Sequence, residues 1–181
     1  MPARSAYQGA ERIRTAVQRF CIFDSGFNLD SELCSRFAGF ADGEAHFAIS
    51  RLDRKSRGRG IYIRPITVCY SCSFIIKVRA DDRAVLERFA RELGIGGRFY
   101  SSRSKPTPGR KNKPAVIWAV TRQEDCAALV GIFEHHPLWS KKARDFEIWA
   151  RAVHYWCGPR SDGWEPMARW FDEIRAVRAF A

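Results

Sequence analysis

The stretch Phe37-Ala38-Gly39-Phe40-Ala41-Asp42-Gly43-Glu44-Ala45-His46-Phe47 decides how the rest of the chain is read. Asp30 or Ser31 can cap a helix ahead of it, and Leu33, Phe37 and Phe40 follow at helical spacing. Within that helix Ala38, Gly39 and Gly43 are too small to hold a neighbouring helix away. Gly39 and Gly43 lie four residues apart and so share one face, over which helix axes can approach closely. Two carboxylates, Asp42 and Glu44, then fall where the helix gives out. The pattern is that of a helix built to touch another helix and to deliver an acid at its end.

The bulk composition supports a partner of the opposite charge. A chain of 181 residues fits one domain, or one domain with extensions. A hydrophobic fraction of 46% with 13% aromatics is enough for a globular core and argues against general disorder. The net charge of +11 favours a polyanion, nucleic acid before an anionic membrane surface. This charge is concentrated. Residues 51–64 hold Arg51, Arg54, Lys55, Arg57, Arg59 and Arg64 against the single acid Asp53. Residues 98–113 hold Arg98, Arg103, Lys105, Arg110, Lys111 and Lys113 with no acid. These two segments account for the whole surplus, which makes them a footprint rather than a uniform solvating coat.

Other classes are disfavoured. No run is long enough to span a membrane. Arg4, Arg12, Arg14 and Arg19 in the first 20 residues lack the apolar stretch of a secretory signal, so residues 1–28 are expected to form an N-terminal arm. The six cysteines are scattered, and Cys69-x-x-Cys72 has no second CxxC or His pair at zinc-ribbon spacing. In a strand those two thiols would point to opposite faces, and all six are read as reduced thiols of an intracellular protein. Gly60-Ile61-Tyr62 lacks the second half of a GIY-YIG site, and His135-His136 has no HNH-type partner at a usable distance.

Periodicity organises the remainder. Phe47 and Ile49 alternate with His46, Ala48 and Ser50 in a first strand, and a Gly- and Arg-rich turn covers 54–60. Residues 61–79 form a second strand, with Tyr70, Cys72, Phe74, Ile76 and Val78 on one face. An amphipathic helix follows over 81–93, capped by Asp81 or Asp82, then a strand near Arg98–Ser102 and a basic hairpin loop over 103–114. A fourth strand covers Ala115–Val120. Thr121-Arg122-Gln123-Glu124 has the capping-box form and opens a helix to about His135. Pro137 breaks it, Ser140 can cap a helix from Lys141 to Trp156, and a last helix runs from about Pro166 to Phe180. The fold class is therefore α+β, in the order helix, two strands, helix, two strands, helices.

Residues 37–47 closely resemble the LAGLIDADG motif of homing endonucleases, departing from it at Phe37 for Leu and at Ala45 for Gly. Two further segments share the resemblance. Leu93-Gly94-Ile95-Gly96 enters a strand, and His136-Pro137-Leu138-Trp139-Ser140-Lys141-Lys142-Ala143-Arg144-Asp145-Phe146 is similar to the family's Pro-Leu-x-x-Lys-Lys-x-x-Asp-Phe element. The resemblance covers roughly residues 30–156. It implies the LAGLIDADG fold, an αββαββα core whose saddle-shaped antiparallel four-stranded sheet sits over DNA. The expected domain is 29–157, followed by a C-terminal helical extension over 158–181.

The implied activity is site-specific cleavage of double-stranded DNA by a homodimer of the single-motif type, with Mg2+ or Mn2+. Phosphodiester hydrolysis needs a positioned water and stabilisation of developing charge, which carboxylate-held metal ions supply. Magnesium keeps several waters, so one carboxylate and one backbone oxygen per subunit can suffice. By resemblance, Glu44 is the metal-binding acid, the Gly43 carbonyl is the backbone ligand, and Lys142 is the active-site lysine, with Lys141 the alternative. Two lysines at a helix start need a reason, because cations are disfavoured there. Asp42 is read chiefly as a cap that orients the helix end. The family's polar residue at the end of the second strand falls on Val78.

Phe37, Ala38, Gly39 and Gly43 are expected at the dimer interface. His46, Ser50, Ser71, Ser73 and Lys77 should face the DNA groove, because their neighbours carry the apolar set. Arg51, Arg54, Arg98, Arg103, Lys105, Arg110 and Lys111 should reach the duplex from the two hairpins. The competing reading is a non-catalytic DNA- or RNA-binding protein on the same scaffold, an RNA maturase or a regulator. Whether the gene sits in an intron, in an intein or alone is left open.

Overall fold

Asp30 starts the first helix, α1 (Ser31–Glu44), where its Oδ1 accepts the Glu32 amide at 2.9 Å. The computed structural model describes residues 30–54, 67–102, 114–159 and 162–179. From Glu44 the chain passes without a loop into strand β1 (Ala45–Arg54), which pairs antiparallel with β2 (Thr67–Arg79). A 3-10 turn (Ala80–Asp82) leads into α2 (Arg83–Glu92). No side chain caps that helix; Asp81 pairs with Arg79 instead. Then come β3 (Arg98–Ser102), β4 (Ala115–Val120), α3 (Gln123–His135), α4 (Lys142–Cys157) and α5 (Glu165–Ala179).

Two of the expected caps have different outcomes. The capping box at 121–124 does not form, because Glu124 is drawn to the Arg122 guanidinium at 3.2 Å and no side chain bonds the helix start. Ser140 does serve α4, its Oγ accepting the Lys142 amide at 3.2 Å. The N-terminal arm, the start of the second strand before Thr67 and the tips of both basic hairpins lie outside the described residues. So do Arg103, Lys105, Arg110 and Lys111.

The sheet order is β1-β2-β4-β3, antiparallel at every junction. Side chains alternate across it, and only one face is buried. Ala45, Phe47, Ile49, Tyr70, Cys72, Phe74, Ile76, Val116, Trp118 and Val120 lie in the core beneath the helices. Phe47 is its hub: the rings of Phe74, Phe133, Phe146 and Trp149 lie 5.2–5.7 Å from its own, in tilted and edge-on arrangements. Phe99 stacks on Trp118 at 5.9 Å and 4°. The chain enters β3 so closely that a Cβ on Gly97 would come within 2.2 Å of Trp118 Nε1. Gly94 ends α2 at φ +64°, a left-handed position that glycine fills without strain.

The C-terminal helix belongs to this packing. Met167 and Ile174 of α5 are buried in the same core, and Trp164 and Phe171 lie 6.1 and 5.9 Å from Tyr70 of β2. Cys72 and Cys69 take opposite faces, Cys72 fully buried and Cys69 half-buried. No helix among the described residues is long and apolar enough to cross a membrane.

Candidate active site and nucleic-acid face

The end of α1 and the start of α4 meet, although they are nearly 100 residues apart in sequence. Asp42 makes the junction. Its carboxylate accepts the Trp139 amide at 3.2 Å and the Ser140 amide at 3.0 Å, and Ser140 Oγ donates to the Asp42 carbonyl at 3.4 Å. An acid at this position meets the exposed amides and the positive end of a helix, which is the chemistry of an N-cap supplied from another element. Burial alone would raise the Asp42 pKa. The hydrogen bonds from Ser140 and Trp139, with the nearby Lys142 charge, outweigh it and hold the carboxyl below its ordinary range. Its lone pairs are thus engaged in joining helices, in keeping with the capping role expected of it.

That junction delivers Lys142 to the foot of α1. Its Nζ donates to the Gly43 carbonyl at 2.5 Å. Partial burial lowers its pKa; the charges of Glu44, Asp42 and Asp145 oppose the shift without cancelling it. Lys142, not Lys141, is therefore the lysine bonded to the helix end. The presence of a cation in the first turn of α4 is also explained, because the Asp42 carboxylate offsets the unfavourable dipole end.

Glu44 is exposed at the last residue of α1. It lines a depression of about 400 Å³ together with Phe40, Lys77, Val78, Arg79 and Asp82. No group of three or more His, Cys, Asp or Glu among the described residues could by itself hold a metal ion. The donors at the helix foot are one free carboxylate and one main-chain carbonyl, both oxygen. That set fits a hard divalent cation that retains waters, provided the remaining ligands come from outside this chain.

Among the described residues, the outer face of α1 is bare. Gly39 and Gly43 are exposed, and a Cβ built on either would meet nothing within 4 Å. Beside them runs a groove of about 440 Å³, lined by Ser35, Ala38, Gly39, Asp42 and the 135–139 segment. Trp139 at its rim is 93% exposed. Phe37 is a correction to the expected interface. It is 0% exposed, stacked on Phe133 at 5.6 Å and tilted against Phe89 at 5.2 Å. At about 100° per residue it shares the inner face with Cys34 and Ala41, some 200° from Gly39. Ala38, 5% exposed, sits at the boundary of the two faces.

The open face of the sheet carries most of the residues expected on it. Ser50 pairs with Ser71, Ala48 with Ser73, Lys77 with Ile117 and Arg98 with Ala119, all on the side away from the helices. Arg51 does not share that side: it lies opposite Tyr70, bonded to Asp53 at 3.1 Å. Arg54 closes β1. Tyr100, 47% exposed between Arg98 and Ser102, belongs to this face and escaped the sequence reading, although the alternation of β3 contains the signal.

His46 faces the same side, opposite Ile75, but its ring is engaged by the C-terminal helix, Arg178 Nη1 lying 3.4 Å from Nε2. Burial and the Arg178 charge push its pKa down, against the pull of Asp145 and with a further push from Lys142. Nothing local in the sequence announces Arg178, whose partners lie in β1 and α4.

The sequence profile described as LAGLIDADG endonuclease matches residues 37–153. No curated protein sequence matches the chain. Among solved structures, the archaeal intron-encoded homing endonuclease I-Vdi141I, complexed with DNA, has a TM-score of 0.61 at 17% identity; the match covers 80% of this chain and 82% of that one. The homing endonuclease I-TnaI has a TM-score of 0.57 at 19% identity, covering 80% and 84%. The LAGLIDADG meganuclease I-AabMI, bound to uncleaved DNA, has 0.50 at 24%, covering 67% of this chain and only 36% of its own length. At such identities the structural likeness establishes the fold. The profile goes further, because it runs from the middle of α1 through the sheet into α4, and the chain belongs to the LAGLIDADG endonuclease family.

Proposed function

We propose that the protein is a site-specific endonuclease of double-stranded DNA, acting as a homodimer with Mg2+ or Mn2+. The observation that carries this reading is the junction of α1 and α4, which brings the Lys142 ammonium to 2.5 Å from the Gly43 carbonyl, next to the exposed Glu44. Glu44 and the Gly43 carbonyl would hold the metal ion. Bound there, the ion would polarise the scissile phosphate and make a coordinated water more acidic. Lys142, already partly desolvated, supplies a positive charge where negative charge develops in the transition state.

The bare face of α1 supports a two-fold dimer. Packing through Gly39 and Gly43, at the rim of the Trp139 groove, brings two Glu44 side chains together and supplies the second half of the ligand set. The open sheet face, with Lys77, Arg98, Tyr100 and the serines of β1 and β2, lies against the duplex. The basic hairpins add salt-dependent phosphate contacts. A non-catalytic binder has one observation in its favour: the position that matches the family's polar residue at the end of β2 is the apolar Val78, which lines the same depression as Glu44 and cannot order water.

The test is magnesium-dependent cleavage of a site selected from a random duplex library. Glu44→Gln removes the charge that holds the metal and keeps the shape, so it should bind the site without cutting it. Lys142→Met should slow single-turnover cleavage roughly a hundredfold or more at nearly unchanged affinity, because its contribution lies in the transition state. Cleavage by Glu44→Gln at the wild-type rate would refute the metal assignment. Tight binding by a wild type that never cuts would establish the non-catalytic reading.

A further inference from the structure

We infer that Arg178, on the helix beyond the span matched by the family profile, is a positioning residue that holds Glu44 and Lys142 in one geometry. The inference rests on the endonuclease reading above. One guanidinium reaches three groups on two elements. Its Nε donates to Asp145 Oδ2 at 2.9 Å, its Nη2 lies equally close to that oxygen and donates to the Phe47 carbonyl, and Nη1 lies 3.4 Å from His46 Nε2. Each partner is a short step from the site. Phe47 follows Glu44 by three residues, across the unbroken passage from α1 into β1. Asp145 follows Lys142 by three residues, one turn along α4.

The setting makes the clamp specific. β1 is an edge strand, and the Phe47 carbonyl that Arg178 takes is a main-chain group of that edge. The pair is well withdrawn from water, with side chains 29% and 16% exposed for Arg178 and Asp145, unlike the exposed ion pairs elsewhere on the surface. Arginine suits the task because its planar fork offers several donors in fixed directions; a lysine ammonium can keep the charge but not the fork. α5 itself is anchored independently by Met167 and Ile174. The helix therefore supplies a fixed base from which Arg178 ties β1 to α4, closing a loop that Asp42 and Lys142 close from the other side.

The experiment uses the full chain and a target selected from random duplexes. It compares wild type with Arg178→Gln, Arg178→Lys, Asp145→Asn and the Arg178→Gln/Asp145→Asn double variant. Single-turnover cleavage at saturating protein with Mg2+, metal-free binding affinity and thermal unfolding are read side by side. Arg178→Gln should cut at least tenfold more slowly at saturation while affinity changes less than threefold, and Arg178→Lys should recover part of the rate. The double variant should be no slower than the slower single, since both break the same link. An unchanged rate for Arg178→Gln, or a loss that merely follows affinity or unfolding temperature, would overturn the inference. Amide exchange separates this from failure of the endonuclease reading. If wild type binds but never cuts, that reading fails, and the clamp is judged by whether Arg178→Gln speeds exchange over Ala45–Ile49 and the first turn of α4. Equal exchange there overturns it.

Discussion

On the inner face of α1, Cys34, Phe37 and Ala41 are at most 1% exposed, pressed on strands and on α3. On the outer face Ser35, Gly39 and Gly43 are open, and side chains at either glycine would touch nothing. Small residues occur on both faces for different reasons. Ala41 is small because this chain's own core leaves it no room. Gly39 and Gly43 are small although the chain leaves them all the room they need. Each costs the helix about 1 kcal/mol relative to alanine. No contact among the described residues recovers that cost, and a second helix laid against the same face would.

The buried face of α1 gives the largest expected effect. Phe37→Ala empties a site surrounded by four aromatic rings and should cost about 3–5 kcal/mol in denaturant unfolding. A loss near zero would mean that the inner face is not core. Gly39→Leu is the opposite case. Measured as a monomer, it should be no less stable than wild type and up to about 1 kcal/mol more stable, because leucine is the better helix former. By sedimentation at micromolar concentration it should no longer dimerise, and a Gly39→Leu dimer of wild-type affinity would remove the proposed interface.

The two faces of the sheet give a smaller effect. Replacing Lys77 and Arg98 together by Ala should lower the slope of log affinity against log salt by about 2, one phosphate contact each. An unchanged slope would put the nucleic acid elsewhere. The smallest effect belongs to Asp42. Asp42→Ala should cost about 1 kcal/mol, as for loss of a helix cap. Because the folded carboxyl titrates below its ordinary value of 3.8, its stabilisation is present above that pH and disappears as pH falls through the lower folded value. The variant should therefore differ from wild type at neutral pH and converge with it in acid.

The elements whose cues are local were readable in advance. β3 and β4 fall where alternation puts them, at 98–102 and 115–120, and α1, α3 and α4 differ from expectation by a residue or two. Glu44 and Lys142 could be singled out because each sits in a short segment with a distinctive order. What could not be read is which polar groups meet across long separations. The bonds to Asp42 from Trp139 and Ser140 join positions 97 and 98 residues apart, and that from Arg178 to Phe47 positions 131 apart, with no shared period. Phe37 shows a different failure. It is expected at the interface with Ala38, Gly39 and Gly43, whereas about 100° per residue turns it away from Gly39 and into the core. The capping box failed because an adjacent arginine competed for Glu124, a choice that spacing alone does not express.

The order of the strands turns the sheet into a ruler. β1 and β4 both run antiparallel to β2, so the Arg54–Thr67 connection leaves one end of the sheet and the Ser102–Ala115 connection leaves the other. β2, 13 residues long, spans the distance between them, roughly 40 Å at about 3.3 Å per residue. A duplex lying along the open face advances about 34 Å per helical turn. On the proposed reading one chain would measure off a little more than one turn, and a two-fold pair more than two turns, on the order of twenty base pairs. On the proposed reading, the size of the DNA site would be set by the length of one strand and the direction of its neighbours, before any base is contacted.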